Sequence, residues 1–178
     1  MPRKVVCEMY YDFIYDLPII KCCVVALAGN YASQRISGVK LIDIHSLAAY
    51  GVYGLLFGGT IPHFFYSFLE YAVPDGASFP VARKLILERL VYSPLYQAFA
   101  LYMIARLEGK DHKTAVEQLR GLYWTVLTTS WKYLTVLQLL NVSIVPPMLR
   151  VLVVNLIGFF WIIYLANQRR QQELAKSK

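Results

Sequence analysis

The chain has 178 residues, 57% of them hydrophobic and only 16% charged, with a mean hydropathy of +0.44. Soluble domains usually hold ~45–50% apolar and ~25% charged residues, so the surplus apolar surface calls for a lipid cover. A net charge of +7 raises nucleic acid as a partner, but the basic residues are scattered singly at segment ends with one pair at Arg169-Arg170, and no basic stripe forms.

The length fits one domain over residues 1–178. The expected fold class is all-α: a polytopic membrane helix bundle of about four transmembrane helices plus one amphipathic or polar-faced helix. Near the start, Glu8, Asp12 and Asp16 stand where a signal peptide or mitochondrial presequence carries positive charge, so no cleaved address is expected. Pro18 is well placed to open a helix. That helix gives a span near residues 18–34 and carries Lys21 and Asn30, which need bundle neighbours to accept them. A polar turn follows at residues 37–43.

The second helix, about residues 43–71 with a span near 46–70, contains the stretch YGVYGLLFGGTIPHFFY (residues 50–66). In a soluble helix each interior glycine costs roughly 1 kcal/mol and the proline about 3 kcal/mol relative to alanine. In a membrane small residues let backbones approach, and Gly54 and Gly58 have the small-xxx-small spacing. Helix packing is therefore expected at Gly51, Gly54, Gly58, Pro62 and His63. Val73-Pro74-Asp75-Gly76 reads as a turn.

The third helix, about residues 79–107 with a span near 86–106, begins amphipathic with Arg83, Lys84, Glu88 and Arg89 and is expected to be interrupted at Pro94. In the fourth, near 113–140, Gln118, Thr125, Thr128, Thr129, Lys132, Thr135 and Gln138 keep mostly to one face. Such a face either walls a wet path or lies flat on the headgroups. The fifth, near 148–168, reads VLVVNLIGFFWIIYLA, close to the ~20 residues that cross the hydrocarbon core. Trp161 and Tyr164 suit an interfacial anchor, and Arg169-Arg170 is expected to stop the helix.

Little in the chain points to catalysis. Cys7, Cys22 and Cys23 have no CxxC spacing, and neither Cys nor Asp lies at ligand spacing from His45, His63 or His112. There is no GxGxxG loop and no nucleophile elbow. His63 with Tyr66 one turn on is the best catalytic pair, but a histidine hydrogen-bonded inside a bundle accounts for it more simply. No enzyme activity, cofactor or metal is expected. The candidate pore-lining residues are Gln118, Thr125, Thr128, Thr129, Lys132 and Gln138, with Lys132 the single cation among them.

Several motifs point the same way. They are Tyr50-Gly51-Val52-Tyr53-Gly54 followed by Pro62-His63-Phe64-Phe65-Tyr66, Arg89-Leu90-Val91 with Pro94, Leu107-Glu108-Gly109-Lys110-Asp111, and Arg120-Gly121. Further on come Trp131, Leu137-Gln138, Asn141-Val142, Val145-Pro146, Arg150-Val151-Leu152, Asn155, Phe160-Trp161 and Tyr164-Leu165-Ala166. Together, over residues 18–166, they resemble the family of small integral membrane proteins of peroxisomes and the mitochondrial inner membrane. The chain departs from the family pattern at Lys21, at Glu88 where aspartate is common, and at Tyr133-Leu134-Thr135 where a tryptophan-proline pair is expected.

The resemblance implies an α-helical channel or pore in the lipid bilayer of the peroxisome, with the mitochondrial inner membrane as the alternative location. It would pass small polar metabolites and need no cofactor; apart from the resemblance, a homo-oligomer is expected, and the scattered charges leave nucleic acid out as a partner. A non-conducting membrane scaffold is the rival reading. Four or five helices packed to interior density enclose little free volume. Either the fourth helix lines a narrow lumen or several copies assemble.

Overall fold

Glycine and aspartate set the helix ends. Gly38 and Gly109 take the left-handed backbone, at φ 69° and 82°. At the second of these, Gly109 N donates to Arg106 O (3.0 Å) and Lys110 N to Ala105 O (3.2 Å), which closes the helix with its carbonyls satisfied. Asp43 opens the helix after the first turn, its carboxylate accepting from Ser46 N at 3.0 Å.

The computed structural model describes residues 18–38, 41–73 and 79–176, and these signals bound five long helices in it. Helix α1 is Pro18–Ile36. Helix α2 joins Ile44–Tyr53, a π turn at Gly54–Gly58, and Thr60–Ala72. Helix α3 joins Pro80–Leu87, a π turn at Glu88–Tyr92, and Ser93–Leu107; α4 joins His112–Thr129, a π turn at Ser130–Leu134, and Thr135–Ser143. Helix α5 is Pro147–Lys176. The expected turn at residues 74–76 and Cys7 lie outside the described residues.

Two sequence expectations are corrected here. Pro94 does not interrupt α3. A helical proline cannot bond the carbonyl four residues back, and the π turn just before it absorbs the mismatch, with Ser93 N donating to Glu88 O. Arg169-Arg170 does not stop α5, which continues to Lys176 because Arg169 turns into the bundle.

The helices pack as a ring in chain order, α1 on α2, α2 on α3, α3 on α4 and α4 on α5, and α5 closes it on α1. Small residues let α1 lie close to its neighbours. A methyl group on Gly54 would come 2.7 Å from Cys22 O and 2.9 Å from Ala26 Cβ, and one on Gly51 2.8 Å from Leu27 Cδ2. A methyl group on Gly29 of α1 would come 2.7 Å from Ile162 Cγ2 of α5. Gly58 has ordinary room at 3.5 Å from Cys22 Cβ. Pro62 borders a half-open cavity between the helices, and the half-buried His63 ring meets Phe64 at 5.9 Å.

Among the described residues, two helices are long and apolar enough to cross a membrane, Ile44–Ala72 and the stretch Leu152–Ala175 of α5. Four were expected. Asn30 and Gln34 in α1, and Glu88 and Arg89 in α3, lower the hydropathy of those helices, yet all four pair with partners in the bundle. Outside, Phe64, Phe68, Leu90, Leu95, Leu152 and Phe160 stand exposed, Phe64 at 65% and Phe160 at 64%. An apolar surface of that extent marks a lipid- or protein-covered face.

Candidate functional site

Val154, Gly158, Trp161, Leu165 and Arg169 recur at three- and four-residue steps and so share one face of α5. Three cavities lie along that face. A polar pocket of about 120 Å³ is bounded by Ser46, Tyr50, Glu108, Lys110, Arg169 and Glu173. A central cavity of about 330 Å³ lies between α1, α2, α3 and α5, with Cys22, Gly58, Tyr96, Gln97 and Trp161 in its wall. A third, of about 220 Å³, is lined by Tyr66, Glu88, Arg89, Gln138 and Trp161.

Neighbouring cavities share walls. Tyr50 borders the first and second, and Val154, Gly158 and Trp161 border the second and third. From Val154 to Glu173 the axis of α5 rises ~28 Å at about 1.5 Å per residue, close to the ~30 Å thickness of a hydrocarbon core.

A charged cluster caps one end of this row. Arg169, 2% exposed, donates to Glu108 Oε2 at 2.5 Å and to Gln118 Oε1 at 3.1 Å. Glu108 also accepts from Lys110 Nζ and from Ser46 Oγ, both at 3.0 Å. Lys110 pairs with Glu173 as well, and Gln118 Nε2 donates to Glu173 at 2.9 Å. From α1, Asn30 Nδ2 donates to Ser46 Oγ (3.2 Å), and Gln34 Nε2 donates to Asn30 Oδ1 (2.8 Å). All five helices or their connecting turns contribute. Two cations meet two carboxylates, so the buried guanidinium is compensated, which a lone charge there would not be.

A second cluster sits where the π turns of α3 and α4 face each other. Arg89 donates to Gln138 Oε1 and lies 3.6 Å from Glu88, while Gln138 Nε2 donates to Glu88 Oε2 at 3.4 Å. Trp131 Nε1 donates to the Arg89 carbonyl at 3.0 Å, so an oxygen within the π turn is satisfied from the neighbouring helix. Ser93 Oγ and Ser130 Oγ, both buried, approach to 3.4 Å.

The polar residues of α4 separate into three groups. Gln118 is buried in the charged cluster, and Gln138 is half-buried in the π-turn cluster. Thr129 is half-buried and accepts from Tyr164 OH at 3.1 Å. Thr125, Thr128 and Lys132 are exposed on the outside of the bundle; Thr128 Oγ1 donates to Trp124 O (2.7 Å), and Lys132 Nζ lies 5.4 Å from the Tyr133 ring centre. The face α4 buries is instead Ala115, Gln118, Leu122, Val126 and Ser130.

Sequence reasoning did not single out Ser46, Glu108, Arg169 or Glu173 as a group. One signal was there: Arg169 falls in phase with Gly158, Trp161 and Leu165. Among the described residues no cluster of His, Cys, Asp and Glu is arranged to hold a metal ion.

Residues 105–166 match the Mpv17 / PMP22 family. The chain is 28% identical to peroxisomal membrane protein 2 of Bos taurus over 81% of its own length and 77% of that protein's. It is 28% identical to peroxisomal membrane protein PMP22 of Arabidopsis thaliana over 99% and 96%, and 30% identical to PXMP2/4 family protein 3 of Dictyostelium discoideum over 78% and 74%. No solved structure matches the chain. With identity sustained over most of both partners' lengths, the chain belongs to the Mpv17 / PMP22 family.

Proposed function

We propose that this chain is a passive pore that lets small polar solutes cross the peroxisomal membrane through the interior of its own helix ring. The observation that carries the reading is the row of three cavities on one face of α5, sharing Tyr50, Val154, Gly158 and Trp161 and extending about one membrane thickness. In this reading all five helices cross the bilayer, α1 and α3 with their polar groups turned inward and α4 packed between α3 and α5. Solutes pass without a cofactor or a chemical step. The names of the bovine and Arabidopsis relatives support the peroxisomal location.

Self-association belongs to the same reading. Lys132 is exposed at about mid-depth, between the levels of Tyr164 and Gln138. A charge facing lipid there costs ~2.5–3.5 kcal/mol on insertion scales. A second copy of the chain against the outer face of α4 would relieve that cost.

Purified protein in sealed vesicles tests the pore directly. Small uncharged solutes should equilibrate quickly and larger ones should be retained. Vesicles as tight as protein-free controls to every solute would leave a non-conducting scaffold as the better account.

A further inference from the structure

The polar pocket and the central cavity meet at a barrier made of side chains. Tyr50 and Arg169, each 2% exposed, stand together there, with the guanidinium carbon 5.9 Å from the Tyr50 ring centre. Glu108 holds Arg169 in this place. Yet Nε and Nη1 of Arg169 meet no acceptor in hydrogen-bonding geometry among the described residues. A second carboxylate lies one helical turn away on the same helix: Glu173, at the i+4 position, with its side chain 47% exposed.

We propose that Arg169 is the gate of the route and has two seats, the Glu108 carboxylate when the passage beside Tyr50 is closed and the Glu173 carboxylate when it is open. The inference rests on the pore reading. Moving between the seats exchanges one carboxylate for another, so the guanidinium is never left unpaired in the interior, where a lone charge is strongly disfavoured. The move also carries Arg169 from the buried side of the cluster to its wet side, away from the Tyr50 ring. Lys110, which already bridges Glu108 and Glu173, compensates whichever carboxylate Arg169 has left.

Cys22 reports on the barrier, because its half-buried thiol lies in the wall of the central cavity. The test uses the full chain with Cys7→Ser and Cys23→Ser in lipid nanodiscs. A charged methanethiosulfonate reagent is added, and labelling of Cys22 is followed by mass spectrometry. Glu108→Gln should raise the labelling rate by about tenfold or more, equivalent to ~1.4 kcal/mol withdrawn from the closed seat. Glu173→Gln should lower the rate, and the exchange Glu108→Arg with Arg169→Glu should return it toward the parent value. Simple loosening of the bundle would raise the rate in both single variants, and that result, or no change in either, overturns the gate. The readout needs no solute flux. Opposite shifts in a chain that does not conduct remove the pore and keep the latch, and conduction with unaltered labelling removes the latch alone.

Discussion

Gly54 of α2 lies against the carbonyl oxygen of Cys22 in α1, so close that a methyl group at Gly54 would sit 2.7 Å from it. A backbone oxygen cannot swing aside as a side chain can. Gly54→Val should therefore push α1 and α2 apart and cost ~1–3 kcal/mol, the usual range for overpacking. Gly58→Ala, with 3.5 Å to its nearest neighbour, should change little. Thermal unfolding in detergent measures both. Equal stability of Gly54→Val and the parent would show that this crossing is not tight.

The paired π turns predict a smaller effect. Trp131→Phe keeps a ring but removes the donor to the Arg89 carbonyl. Loss of one such bond should lower stability by about 0.5–1.5 kcal/mol. The same unfolding assay reads it, and no loss would mean that water or another donor satisfies this carbonyl.

The apolar exterior predicts firm anchorage. Exposed Phe64, Leu95 and Phe160 leave the chain no stable soluble form, so membranes washed in alkaline carbonate should retain it. Release into the supernatant would contradict a bilayer-embedded bundle.

Lys132 separates a route inside one chain from a route between copies. Lying outside the ring, it should leave ion selectivity unchanged in the Lys132→Glu variant. A shift toward cations would bring the outer face of α4 into the lining. In either case the variant should weaken or alter self-association, which cross-linking in the membrane measures.

The helices were legible in the sequence because their ends carry local signals. Asp43 caps α2, Gly109 closes α3, and Pro18 and Pro147 open α1 and α5. The interior of the route was not, for two physical reasons. Arg169 and Glu108 are 61 residues apart, and a charge at the end of an apolar run looks the same whether it ends in water or pairs with another helix. The polar stripe of α4 was read with one helical period from Gln118 to Gln138, but the π turn at Ser130–Leu134 lies between them. One extra residue per turn rotates everything beyond it by about 100°. That turn is only part of the reason: Thr125 and Thr128 already face out before it, and six helical residues by themselves set Gln138 about 120° from Lys132.

The most direct test of an interior route is a plug placed where nothing else is disturbed. Gly158 borders both the central and the π-turn cavities, and a Cβ built on it meets no atom within 4 Å. In vesicles, Gly158→Phe should abolish most of the small-solute flux of the parent protein while leaving its unfolding temperature unchanged. Undiminished flux through the stably folded variant would contradict passage through the helix ring.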